Sequence, residues 1–210
     1  SAAEVKAAAL TGMSGAQAFA TRTFWTLFLV FLIVATFLHG AQLHLIPLMS
    51  DRGLSPEGAV STFSLLFAVT AVTRVCAGFL FDKVFAPFVG AVLFLASAVG
   101  AALLVPEWAA IYYFAAAVLL GIGTGAETDL LGYVASRYFG KRAYGEVFGG
   151  LFAAFMIGSA LGPYVYGYGF DQTGSYTFVL YASVVGLVVA SLLLVSLPKF
   201  PTQQTATSGA

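Results

Sequence analysis

The residues able to do chemistry are few, and the most telling ones sit inside apolar runs. Arg74 stands eight residues before Asp82. On a helix rising about 1.5 Å per residue it lies about 12 Å deep from that end. Glu127 stands ten residues before Arg137, which places it about 15 Å deep. The two depths agree within about 3 Å, so an Arg74–Glu127 pair is geometrically open. A charge at such depth costs about 2.5–3.5 kcal/mol on insertion scales. Arg74 therefore needs a partner, a wet cavity or a substrate, unless its long stem snorkels to the headgroups. A guanidinium presents a planar donor fork that suits a carboxylate. An Arg74–Glu127 pair then reads in two ways. It is a gate that an anionic substrate opens by competing for the arginine, or it is a permanent structural ion pair. Asp129 is turned roughly 200° from Glu127 and cannot share its face. It points instead to an inner charge network with Lys83 or Arg137.

His39 and Gln42 lie three apart on one helical face, while His44 points elsewhere. Imidazole titrates near neutral pH, so His39 is placed to carry a proton or touch substrate, or simply to hydrogen-bond a neighbour. Asp82 and Lys83 end an apolar run, where an acid can cap a neighbouring helix, and read as conformational rather than substrate-binding. Tyr164 and Tyr168 share a face opposite Tyr166 and read as an aromatic belt or as a cavity mouth. Trp25 and Trp108 read as interface anchors. The single cysteine, Cys76, lies in an apolar run and reads as an inert packing residue. The sequence has no Cys/His set at metal-ligand spacing and no Gly-rich phosphate loop. The expectation is a protein that is not an enzyme and needs no metal or cofactor.

The elements that must hold these residues are six long apolar stretches, at 24–49, 57–80, 85–105, 108–136, 144–170 and 176–197. Each has about the 20 residues needed to cross a hydrocarbon core about 30 Å thick. The chain is 60% hydrophobic and 9% charged with a net charge of zero, which speaks against a soluble domain and against nucleic acid as a partner. If the chain begins in the cytoplasm, the inner segments carry Lys6, Arg22, Lys83, Arg137, Lys141, Arg142 and Lys199, and the outer ones carry Arg52 alone. That bias predicts six passes with both termini cytoplasmic, in a plasma or bacterial inner membrane. Short gaps make successive helices antiparallel neighbours. Residues 1–23 read as a cytoplasmic lead-in with a short helix at 14–21, residues 24–198 as the membrane domain, and residues 199–210 as a disordered tail. The absence of Met at position 1 fits a domain of a longer polypeptide.

A faint repeat relates the second and fifth stretches, which end Gly78-Phe79-Leu80-Phe81-Asp82 and Gly167-Tyr168-Gly169-Phe170-Asp171. One would end inside and the other outside, as in an inverted three-helix repeat. Gly121, Gly123 and Gly125 crowd the fourth stretch, and Gly145/Gly149 and Gly158/Gly162 the fifth. They read as packing surfaces, or as surfaces on which helices slide.

The run Arg74-Val75-Cys76-Ala77-Gly78-Phe79-Leu80-Phe81-Asp82-Lys83 resembles the end of the eighth helix of major facilitator superfamily transporters. Arg137-Tyr138-Phe139-Gly140-Lys141-Arg142-Ala143-Tyr144-Gly145 is similar to that family's loop between helices ten and eleven. Phe170-Asp171-Gln172-Thr173-Gly174-Ser175-Tyr176 resembles the turn before its twelfth, and residues 21–25 the end of its central loop. The nearest branch is the monocarboxylate transporter and oxalate/formate antiporter-like group. The resemblance covers nearly the whole chain but only the C-terminal half of a twelve-helix fold. It implies an all-α, six-helix bundle built as a 3+3 inverted repeat, with an N-terminal half as its missing partner. The Asp that monocarboxylate carriers often place one turn before the arginine is Thr70 here, which removes support for a local Asp–Arg proton relay and, with it, for lactate-type proton symport.

The expected function is alternating-access transport of a small organic anion, a mono- or dicarboxylate. Its substrate residues would be Arg74, His39, Gln42 and Glu127. Its conformational residues would be Asp82, Lys83, Asp129 and Arg137. The first, second, fourth and fifth helices would line the cavity, while the third and sixth face lipid. The alternatives are an efflux carrier for apolar compounds and a non-transporting sensor or subunit.

Overall fold

The structure, a computed structural model, describes residues 12–106 and 110–201. Among these the chain forms seven helices: α1 (Gly15–Phe19), α2 (Arg22–Asp51), α3 (Pro56–Lys83), α4 (Ala86–Leu103), α5 (Ala110–Phe139), α6 (Tyr144–Thr173) and α7 (Thr177–Val195). The starts follow local chemistry. Ser14 and Gln17 form a capping box on α1, Thr21 accepts from the Phe24 amide, and Ser55 accepts from the Gly58 amide with Pro56 in the first turn. Gly174, at φ 66°, closes α6 in the left-handed region that glycine tolerates.

Six of the helices are long and apolar enough to cross a membrane. Helices α2, α5 and α6 have 30 residues each and α3 has 28, so each spans more than about 40 Å at about 1.5 Å per residue. The 18 residues of α4 and 19 of α7 just match the hydrocarbon core. Exposed side chains are apolar along the outer sides of α4 (Phe88, Val92, Leu95, Val99) and of α7 (Phe178, Tyr181, Val185, Leu192). Water does not tolerate faces of that extent, and lipid does. The chain is an integral, multi-pass membrane protein.

The helices pack as pairs. Helix α2 lies along α6, α3 lies along α5, and α4 packs on α5 and α7. Backbone meets backbone at two crossings. Cβ atoms at Gly158 and Gly162 would run into the Leu32 and Thr36 carbonyls, and those at Gly121 and Gly125 into the Leu66 and Thr70 carbonyls. Association in lipid depends on this close approach. The sequence pattern groups Gly145 and Gly149 with these, but nothing stands within 4 Å of a Cβ at either. They sit in the first turns of α6, on a side that no neighbour covers.

At the end bearing Lys83, Arg137 and Lys141, the lead-in is docked. The Met13 amide donates to the Phe139 carbonyl at 3.0 Å, and Ala18 is fully buried. Pro198 and Phe200 are held as well. The Tyr138 hydroxyl donates to the Pro198 carbonyl at 2.6 Å, and the Phe200 ring lies 4.7 Å from that of Tyr138 and 5.0 Å from that of Phe85. The expected tail disorder therefore does not begin at 199, while residues 202–210 lie outside the described residues, as do Lys6, Glu107 and Trp108. At the opposite end Arg52 donates to the carbonyls of Leu104, Val105 and Pro106 and lies 5.8 Å from the centre of the Tyr113 ring. It satisfies the carbonyls of the turn that follows α4.

Candidate functional site

A cleft of about 600 Å³ opens between α2, α3, α5 and α6. Its polar lining is His39, Gln42, Thr70, Arg74, Thr124, Glu127, Thr128 and Ser159, and its apolar lining includes Phe63, Phe67 and Phe155. Helices α4 and α7 contribute no side chain to it. All four residues expected to meet substrate, Arg74, His39, Gln42 and Glu127, stand in this one wall.

Arg74 points into the cleft with 54% of its side chain exposed. Its Nη2 donates to the Thr128 hydroxyl at 2.7 Å, and its Nε lies 3.7 Å from Asp129 Oδ2. A guanidinium has five N–H donors, so Nη1 and the second Nη2 hydrogen remain for a ligand. The arginine is thus oriented by the wall without being used up by it.

The partner of Arg74 is Asp129 rather than Glu127. Successive residues on a helix turn by about 100°. Thr128 and Asp129 fall on the side of α5 that faces α3, while Glu127 turns toward α2. There Glu127 meets His39, whose Nε2 lies 3.7 Å from Glu127 Oε1. The Glu127 side chain is only 3% exposed, and its Oε2 has no hydrogen-bond partner. His39 is held from behind. Its Nδ1 lies 3.1 Å from the Ala35 carbonyl and 3.5 Å from the Ser159 hydroxyl, and the Phe155 ring meets it edge-on at 5.3 Å.

The residues expected to gate are not gathered into one network. Asp129 is drawn to Arg74 instead of Lys83 or Arg137, because α5 brings it beside the cleft. Arg137 lies over Phe200 at 5.2 Å and Tyr133 at 5.9 Å. Asp82 and Lys83 are exposed at the end of α3 and make no ion pair among the described residues.

Other side chains find structural places. His44 stacks on Tyr166 at 5.6 Å and bonds the Gly40 carbonyl through Nδ1 at 3.2 Å. The buried Tyr166 hydroxyl meets Ser183 Oγ at 2.6 Å. Tyr164 and Tyr168 stack at 6.1 Å and are exposed away from the cleft. Tyr176 packs on the other side, its ring 4.6 Å from that of Phe170 and 5.7 Å from that of His44. Cys76, expected to pack, is exposed on the bare side of α3. Among the described residues, no group of three His, Cys, Asp or Glu side chains could hold a metal ion.

Sequence reasoning missed Thr128, Ser159 and Phe155. It followed charges, and neutral residues give no signal until a neighbouring helix is in place. Thr70, which stands where a proton-relay acid was sought, bonds the Leu66 carbonyl at 2.9 Å and the Gly121 carbonyl at 3.3 Å, stitching α3 to α5. A scan against protein-family models finds no match, and a search of curated proteins finds none.

Proposed function

We infer that this chain is one half of a secondary carrier of the major facilitator type, and that the carrier moves a small organic anion. The observation that carries the reading is a guanidinium in the membrane span that faces an open cleft and keeps donors free. A charge kept at that depth, oriented but not neutralised by hydrogen bonds on all sides, is retained for a ligand.

The packing pattern supports the six helices as a 3+3 inverted repeat. Exchanging the triplets α2–α4 and α5–α7 turns the α2·α6 pair into the α5·α3 pair and leaves the α4·α7 pair in place. The four lining helices correspond under the same exchange. The N-terminal half would complete the cleft. Helix α3 supports this part of the reading, because only Ala59, Thr62, Leu66, Ala77 and Phe81 along its length are buried.

The lining favours a monocarboxylate over a dicarboxylate. Among the described residues Arg74 is the only lysine or arginine in the wall, and a second carboxylate would meet Asp129 or Glu127. Phe63, Phe67 and Phe155 suit an apolar or aromatic body on that anion. The same rings support a second reading, efflux of apolar compounds with Arg74 purely structural.

Uptake by the full-length protein in proteoliposomes separates the two, with protein-free vesicles as the blank. Phenyllactate should enter faster than succinate, and Arg74→Ala should abolish the difference from the blank. Undiminished phenyllactate uptake by Arg74→Ala would end the anion reading.

A further inference from the structure

We propose that the groove between α4 and α7 binds an anionic phospholipid, with one acyl chain in the groove and the headgroup on Lys83 and Lys199. The proposal goes beyond the transport reading and rests only on the chain being an integral membrane protein.

The groove has a volume of about 180 Å³. It exists because small residues face each other where two apolar helices meet. Ala91 of α4 and Ser191 of α7 are buried and form its floor, while the exposed side chains of Phe88, Leu95, Leu192 and Val195 stand out as its walls. The Ser191 hydroxyl donates to the Leu187 carbonyl at 2.8 Å within its own helix, so the floor keeps no donor for a ligand. From Phe88 to Leu95 the groove runs about 10 Å along α4. That fits within the roughly 15 Å that one leaflet contributes to a hydrocarbon core about 30 Å thick. An acyl chain of that leaflet matches it in depth and in chemistry.

Charge at one end selects the headgroup. Phe88 stands three residues, about one turn, past Phe85, and Val195 stands four before Lys199. The Phe85 and Phe200 rings meet at 5.0 Å. This contact sets the α3–α4 link beside the segment that follows α7, and so brings positions 83 and 199 to the same rim. Arg137, lying over Phe200 at 5.2 Å, adds a third cation there. Lys83 and Lys199 are exposed and make no ion pair among the described residues. The acids at the surface of this end, among the described residues, are Asp82, beside Lys83, and Glu146, which is turned to Gly15 of α1. Basic residues between helices at a membrane surface draw anionic headgroups, each favouring them by about fivefold.

Other occupants fit less well. Helices α4 and α7 give no side chain to the cleft, so a second half that completes the cleft leaves this groove bare. A second copy in the same membrane orientation would bring its own Lys83 and Lys199 to this rim, like charge against like.

Photo-crosslinking identifies the occupant in the full-length protein. Leu192 is replaced with the photoreactive p-benzoylphenylalanine, in vesicles of equal parts dioleoyl phosphatidylglycerol and dioleoyl phosphatidylcholine, and the mass of the adduct names the lipid. Phosphatidylglycerol adducts should outnumber phosphatidylcholine adducts by about fivefold or more. Lys83→Gln/Lys199→Gln, which alters two exposed side chains and should melt as wild type does, should bring the ratio near one. The same probe at Phe178, exposed at the far end of α7, should give a ratio near one in both backgrounds. A ratio near one at position 192 in the native background would overturn the proposal, as would a ratio that the double substitution leaves unchanged. An equal phosphatidylglycerol excess at 178 would reduce the effect to general surface charge and also overturn it. Protein–protein adducts at 192 in place of lipid adducts would put a second copy on the groove and overturn it too. None of these readouts involves phenyllactate, so the proposal and the anion reading fail separately.

Discussion

Replacing Arg74 with lysine keeps the charge and removes the fork. In the native wall the guanidinium gives Nη2 to Thr128 at 2.7 Å and turns Nε to Asp129 at 3.7 Å. Its remaining donors on Nη1 and Nη2 can take both oxygens of a carboxylate. A lysine ammonium at the same place cannot hold the wall and both oxygens together. One charge-assisted hydrogen bond to the ligand is lost, worth about 1.5–3 kcal/mol. Binding should weaken by about ten- to a hundredfold, since each 1.4 kcal/mol or so is a factor of ten. Arg74→Ala removes both bonds and should pass about a hundredfold. The fold should survive either change. The Arg74–Asp129 pair is 54% and 37% exposed, and such pairs contribute about 0–1 kcal/mol. Equilibrium binding of phenyllactate, read beside the melting temperature in detergent, measures both quantities. Native affinity in Arg74→Lys would refute the bidentate contact, and native affinity in Arg74→Ala would refute any contact.

Two further substitutions test the scaffold. Gly162→Ala places a Cβ against the Thr36 carbonyl and 2.7 Å from the Gly40 amide nitrogen, where backbone cannot yield; it should cost about 3 kcal/mol. Gly149→Ala, with nothing within 4 Å, should be neutral or stabilising by up to about 1 kcal/mol. Thermal unfolding of the two variants should separate them clearly. Arg52→Met uncovers the Leu104 and Val105 carbonyls and should destabilise by about 1–3 kcal/mol in the same assay.

The scaffold was legible because span length and apolarity are properties of single segments. The six runs read from hydropathy fall within a few residues of the helices found. Depth was legible for the same reason. Counting along the helix set Arg74 and Glu127 at similar levels, and both line one cleft. Pairing was not. Whether Glu127 or Asp129 meets Arg74 depends on how α5 is rotated against α3, and the glycines at 121 and 125 set that crossing. Sequence periodicity identified the two faces of α5 but not which neighbour each would meet. The same blindness hid Ser159 and Phe155, whose importance comes only from standing behind His39. Phe200 escaped because a polar tail carries no periodic signal, though one ring suffices to dock it.

The most direct test asks what surrounds position 74. Arg74→Cys in a Cys76→Ser background removes the one native thiol and leaves a single reporter on the cleft side of α3. A charged, membrane-impermeant methanethiosulfonate should modify that reporter. In the same background with Arg74 intact, phenyllactate should slow modification of the nearby Thr128→Cys variant. Labelling of the Arg74→Cys variant by lipid-soluble maleimides alone would put the side chain in the bilayer and contradict the account.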